Sequence, residues 1–195
     1  NKDQTYFLWT LTQKELSKTL FPVGDYSKPE VRTLAKKFHL PTFNKKDSQG
    51  VCFVGPLNMK TFLKQHIKSK PGRILHINGR ELGQHDGVYY YTIGQRHGLN
   101  IAIGGGPYYV IRKDIKKNLI YVGAEADLAQ KKARLIQIQQ TTSENLPRSL
   151  EVKIRYRTRA QKATLTRGVL VFEKLQRAIT AGQSAVFYRG NAVLG

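Results

Sequence analysis

The stretch Arg73-Ile74-Leu75-His76-Ile77-Asn78-Gly79-Arg80-Glu81-Leu82 decides the fold class. It reads as strand, tight turn and strand, because Asn-Gly readily takes the positive φ that a type I′ turn needs at both central positions. From Gly72 onward the apolar period is two. Further strands are predicted at Val88–Ile93, Tyr108–Arg112 and Leu119–Val122, the last two joined by Lys113–Asn118. After a softer break around Ala124–Gln130 come Ala133–Gln139, Leu150–Thr158, Lys162–Thr166, Val169–Phe172 and Ser184–Tyr188. Several short strands between turn signals predict a small barrel or sandwich.

Upstream of Gly72 the pattern is helical. Thr12-Gln13-Lys14-Glu15 and Ser27-Lys28-Pro29-Glu30 both fit a capping box, in which hydroxyl and carboxylate satisfy orphan N–H groups reciprocally. Pro29 falls in the first turn, where its missing donor costs little. Val31, Leu34, Ala35 and Phe38 stand at i, i+3, i+4 and i+7, which predicts one buried face, and Pro41 lies just past the stop. A third helix is predicted from Asn58 to about Ser69, with Met59, Phe62, Leu63 and Ile67 inward and Pro71-Gly72 ending it. The fold class is therefore α+β, mainly β.

With 195 residues, 40% of them hydrophobic, the chain has enough for one or two cored domains. Its 33 basic and 13 acidic side chains give a formal net charge of +20. That excess repels itself and persists where a polyanion neutralises it. Nucleic acid is the leading polyanion, because each phosphate contact releases condensed counterions. A membrane is the rival, but no apolar run approaches the roughly 18 residues that span a bilayer, and no segment reads as a basic amphipathic anchor. One cysteine excludes an intrachain disulfide and a CxxC zinc site, and the five histidines lack ligand-like spacing, so no metal site is expected. Cysteine usage fits a reducing cytoplasm. The chain opens at Asn1 inside a periodic pattern, without initiator Met or signal peptide, as an excised piece of a longer protein would.

Four segments carry possible chemistry. Cys52, in Asp47-Ser48-Gln49-Gly50-Val51-Cys52-Phe53-Val54-Gly55, is either a buried inert thiol or a reactive one, activated by cations such as Lys45 and Lys46. Strand alternation from Glu151 to Arg159 places Lys153, Arg155, Arg157 and Arg159 on one face. Their spacing of roughly 7 Å approximates the phosphate repeat of an extended nucleic acid, and a solvated barrel face reads the same way. Thr92-Ile93-Gly94-Gln95-Arg96-His97-Gly98, followed by Gly104-Gly105-Gly106, is either a pair of plain turns or an anion nest beside Arg96 and His97. It satisfies neither GxGxxG after a strand nor GxxxxGK[ST]. Lys2-Asp3-Gln4 alone marks no more than a helix start.

Together and in order, these segments resemble the tRNA-specific 2-thiouridylase family. The matching stretches are Lys2–Leu8, Phe21-Pro22-Val23-Gly24, Lys46–Gly55, Thr92–Gly98 and Gly182–Tyr188, which span nearly the whole chain. The resemblance implies an enzyme that uses ATP to adenylate C2 of the wobble uridine, and then transfers persulfide sulfur to it. Cys52 matches the persulfide carrier. Lys2, Asp3, Gln4, Arg155, Tyr156 and Gln183 match residues that contact tRNA. The implied organisation is a helical remnant of an α/β ATP-binding domain at 1–46, a central β domain at 47–125 and a C-terminal antiparallel β-barrel at 126–195. The ATP loop and the upstream nucleophilic cysteine have no counterpart here, so ATP is expected on a missing N-terminal domain and the piece alone is expected to be inactive. Implied partners are tRNA and a sulfur-donor protein, a cysteine desulfurase or relay protein. Arg155 and Tyr156 fall on opposite strand faces, so a shared RNA contact requires a strand end or bulge there. The competing readings are a non-catalytic RNA-binding module with a structural cysteine, and a translation-factor-like barrel.

Overall fold

Thr12 and Ser27 start helices as their sequence neighbours require. In the computed structural model, which describes residues 4–46, 59–156 and 158–195, the elements in chain order are α1 (Gln13–Leu16), α2 (Lys28–Lys37), α3 (Met59–His66), β1 (Gly72–His76), β2 (Glu81–His85), β3 (Tyr109–Asp114), β4 (Leu119–Gly123), β5 (Ala129–Arg134), β6 (Ser149–Lys153), β7 (Gln161–Thr166), β8 (Val169–Arg177), β9 (Val186–Arg189) and β10 (Ala192–Val193). The fold is α+β and mainly β. Glu15 accepts from the hydroxyl and, at 2.8 Å, the backbone N–H of Thr12. Glu30 accepts from the Ser27 N–H at 2.6 Å. The Thr12 and Ser27 side chains first, and their N–H groups second, hold both carboxyls below the usual range. His39 ends α2 at φ 54°, with Leu40 N–H donating to Ala35 O at 2.9 Å before Pro41.

The predicted inward face of α2 is not covered. Val31, Leu34 and Ala35 are half-buried and Phe38 is 64% exposed, and the helix holds no fully buried residue. Periodicity identified the apolar stripe, and it has no information on what covers it.

Contacts divide the chain into two units: Asn1–Gln49 with Arg134–Glu173 and Gln183–Gly195, and Gly50–Ala133 with Lys174–Gly182. The second unit is built on the sheet β2-β1-β4-β3, with β1 and β4 parallel and the outer pairs antiparallel. Ile74, Val110, Ile120 and Val122 are fully buried between Leu82, Val88, Tyr90, Tyr91 and Leu99. α3 lays Leu63 on this core and Ile67 follows it, whereas Phe62 turns outward against the His66 ring at 4.6 Å. Each fully buried aliphatic side chain contributes about 1.5–3 kcal/mol.

Two local expectations are corrected here. The turn at Asn78-Gly79 is not type I′, since only Gly79 has positive φ (94°). Asn78 Oδ1 instead accepts from Arg80 N–H at 3.1 Å, and Gly79 N–H donates to His76 O at 2.8 Å, so side-chain bonding selects the turn. Val88–Tyr90 is a 3-10 helix rather than a strand. Gly87 at φ 151° turns the chain, Val88, Tyr90 and Tyr91 all go inward, and the tyrosine hydroxyls find Ile67 O and, at 3.0 Å, Asp86. Tyr89 between them is 52% exposed, so the buried–exposed–buried order of Val88–Tyr90 imitates the alternation of a strand.

In the first unit β10-β9-β6-β7-β8 lie side by side, every neighbouring pair antiparallel. Val152, Leu170, Phe172 and Val186 fill its interior. The strand expected at Ala133–Gln139 is displaced to Ala129–Arg134, and Ile136 beyond it is 97% exposed. Alternation there places apolar residues on no buried face.

Candidate nucleic-acid interface

Tyr6 organises this site. It lies on a 3-10 helix, Thr5–Thr10, that follows Gln4 and is held to it by Phe7 N–H donating to Gln4 O at 3.0 Å. Tyr6 is 8% exposed and forms a cluster with Val186 and Tyr188 of β9, against which Trp9, Tyr156 and Val193 pack. Its hydroxyl donates to the Ser184 carbonyl at 2.8 Å. Burial first, and the neighbouring Tyr188 second, raise its pKa above 10, which keeps the phenol a donor. A second tie runs from the Gln13 side-chain amide to Thr141 O, while Thr141 itself bonds to Val193 and Leu194.

The expected strand Leu150–Thr158 stops at Lys153, and the chain bends through Ile154–Tyr156. Pairing with β9 ends at Lys153–Val186, and both the N–H and the hydroxyl of Thr158 turn back to Arg155 O at 3.3 and 2.7 Å. A local side-chain bond thus replaces the ladder. The cationic rail expected on one strand face is therefore not formed. Lys153 places its ammonium 4.3 Å from the centre of the Tyr188 ring, and Arg155 is half-buried. Arg157 lies outside the described residues.

This bend removes the conflict between the two strand faces. Tyr156 faces the N-terminal segment, 4.8 Å from the Phe7 ring and 5.9 Å from the Tyr6 ring, with Tyr6 and Phe7 edge to face at 5.3 Å. Gln4 stands two residues before Tyr6, Gln183 one before Ser184, and both are exposed. Tyr156 thus packs on the aromatic cluster directly, and Gln4 is tied to it through its carbonyl. Arg155 and Gln183 are the chain neighbours of Tyr156 and Ser184, so three distant parts of the chain converge there in the first unit. Phe7, 55% exposed, was not singled out in the sequence. Its position beside Lys2-Asp3-Gln4 was the available signal. The arrangement offers cations and amides for phosphate and sugar oxygens, and aromatic faces for stacking.

Cys52, Lys2 and Asp3 lie outside the described residues. Arg96 and His97 fall in the second unit. Among the described residues no three His, Cys, Asp or Glu side chains are grouped to hold a metal ion, and no helix is long and apolar enough to cross a membrane.

Compared with known proteins, the whole chain is 44% identical over 208 residues to the tRNA-specific 2-thiouridylase MnmA of Streptococcus sanguinis, covering 56% of that protein. It is 44% identical over 205 residues to that of Listeria monocytogenes serotype 4b, covering 55%, and 42% identical over 208 residues to that of Streptococcus thermophilus, covering 56%. Along its entire length the chain is similar to tRNA-specific 2-thiouridylases. It spans about half the length of the curated 2-thiouridylases it matches. Three family models adjoin along it: the tRNA methyl transferase HUP domain at residues 1–56, the tRNA methyl transferase PRC-barrel domain at 60–124 and the Aminomethyltransferase beta-barrel domain at 126–195.

Proposed function

We propose that this chain is the tRNA-docking and sulfur-carrying part of a tRNA-uridine 2-sulfurtransferase. The observation that supports it best is the convergence on Tyr6 of the three segments that carry Gln4, Arg155–Tyr156 and Gln183, on a chain whose relatives are named tRNA-specific 2-thiouridylases. The methyl-transfer wording of the domain models carries less weight than 44% identity along the entire chain to proteins named thiouridylases. The working division remains 1–46, 47–125 and 126–195.

In this reading Lys153, Arg155 and Gln183 hold the backbone of the tRNA, Phe7 and Tyr156 stack on an exposed base, and Lys2, Asp3 and Gln4 extend the same contact. Cys52 accepts sulfur from a donor protein and carries it as a persulfide. The persulfide loses its proton more readily than a thiol and is the stronger nucleophile at neutral pH. Its terminal sulfur would bond to the adenylated C2 of the wobble uridine as the C2 oxygen leaves with AMP. The upstream cysteine implied by the resemblance would then attack the Cys52 sulfur, breaking the S–S bond, forming a disulfide and leaving sulfur on C2. ATP would supply the activation of that carbon. The residues of this chain offer no Walker-type loop for the phosphates of ATP. ATP is therefore assigned to the additional length of the relatives. A chemistry that depends on reduced sulfur suits the cytoplasm.

The single cysteine makes the test direct. After incubation with a cysteine desulfurase and cysteine, the intact chain gains the mass of one sulfur, and Cys52→Ser does not. A wild-type chain that takes up no sulfur, yet binds tRNA, would leave only the RNA-binding module.

A further inference from the structure

The segment Thr92–Tyr108 of the second unit builds a pocket that the reading above does not use. Gly94 and Gly98 take φ of 85° and 73°, and Gln95 braces the turn between them. Its carbonyl oxygen accepts from Thr92 N–H at 3.0 Å and its amide donates to His97 O at 2.8 Å. Main-chain bonds tie the turn to β3: Gly94 N–H to Val110 O at 2.8 Å and Val110 N–H to Gln95 O at 2.9 Å. On the opposite side, the Tyr108 hydroxyl donates to Gly104 O at 3.0 Å, which arches the glycine run. Between these walls lies a cavity of about 630 Å³.

Its lining separates into two chemistries. Arg96 and His97 supply the only ionisable nitrogens, and no carboxylate occurs from Arg96 to Tyr108. Arg96 is exposed and makes no ion pair or hydrogen bond among the described residues. The rest presents the side chains of Ile101, Ile103 and Tyr108 among polar backbone groups of the glycine-rich turns, with Leu99 held in the core of the unit. A cavity of this size fits a ligand of nucleotide dimensions, with an anion at one end and a flat, weakly polar body. One guanidinium matches the single charge of a phosphodiester. A triphosphate would need further cations, and a magnesium ion would need a carboxylate that this pocket lacks.

We propose that this pocket receives one unpaired nucleotide of the bound tRNA, its phosphodiester against Arg96 and its base against Ile101, Ile103 and Tyr108. Unstacked bases are the part of an RNA that a protein reads by pocket and stacking. The inference rests on the tRNA-docking reading above and adds a second contact to it in the other unit.

The test is equilibrium binding of unmodified tRNA to the full 195-residue chain across a salt series. Arg96→Gln is expected to weaken binding about tenfold and to reduce the salt slope by about 0.7–0.9, the loss of one phosphate contact. Ile103→Ser is expected to weaken binding about fivefold with the slope unchanged, since it removes apolar contact alone. Lys116→Gln, an exposed cation elsewhere in the same unit, is expected to stay near wild type. An equal loss in Lys116→Gln would reduce the effect to general charge and overturn the proposal. Titration with uridine 5′-monophosphate and with ATP separates the sources, and ATP binding at this pocket more tightly than tRNA would overturn the assignment to RNA. If Arg96→Gln and Ile103→Ser both bind like wild type while Tyr156→Ala does not, this inference fails and the docking reading stands. If the wild-type chain does not bind tRNA, both fail.

Discussion

Replacing Tyr6 with Phe tests whether one hydroxyl holds the N-terminal segment to the body of its unit. The ring contacts with Phe7 and Tyr156 survive, and only the 2.8 Å bond to the Ser184 carbonyl is lost. At 8% exposure water does not readily replace the donor, so the expected cost is about 1–2 kcal/mol. For a unit of about 100 residues, each kcal/mol lowers Tm by about 4–8 °C. Trp9, the only tryptophan, packs against the Tyr6 cluster, so its fluorescence reports this transition specifically. A pH series adds an independent readout. Because burial and Tyr188 raise the folded pKa of Tyr6, its contribution is complete below pH 10 and is lost as pH rises through the folded value. Tyr6→Phe should therefore melt earlier at neutral pH and lose less stability on going alkaline. Coincident melting curves at neutral pH, with the same alkaline decline, would refute the reasoning.

Gly72→Ala should destabilise the second unit by about 3 kcal/mol in urea unfolding, since no rotamer relieves a backbone clash; a Cβ there would stand 2.2 Å from the Asn118 carbonyl oxygen. Burial pushes His85 below its ordinary pKa, against smaller opposing effects of the Asn118 carbonyl and Asp86. Its stabilisation is present above pH 6.5 and lost as pH falls through the folded value, so His85→Gln should flatten the acid limb of a circular-dichroism titration. Tyr91 is raised to about 12 by burial and Asp86, so the second unit should lose stability from pH 10 to about 12, and Tyr91→Phe should abolish that step. Arg155→Ala and Gln183→Ala should each weaken tRNA binding, with only Arg155→Ala lowering the salt slope, by about one.

Local chemistry made the helix starts readable. Thr12 with Glu15 and Ser27 with Glu30 satisfy each other within four residues, so nothing distant can overrule them. The β-rich character after Gly72 was equally plain, because period two is set by the backbone itself. What sequence could not reveal depends on partners far along the chain. The end of β6 at Lys153 follows from where β9 stops pairing, and the exposure of Phe38 follows from what does not cover α2. Parallel pairing of β1 with β4 leaves no mark in either strand. For the site, family resemblance names the residues, but the convergence of their segments is hidden in the sequence, because the Tyr6–Ser184 bond joins positions 178 residues apart.

Hydrogen–deuterium exchange of the chain with and without unmodified tRNA tests the central claim most directly. The account predicts simultaneous protection of Gln4–Phe7, Arg155–Tyr156 and Gln183–Ser184. Protection that leaves all three segments unchanged while slowing exchange elsewhere would contradict it.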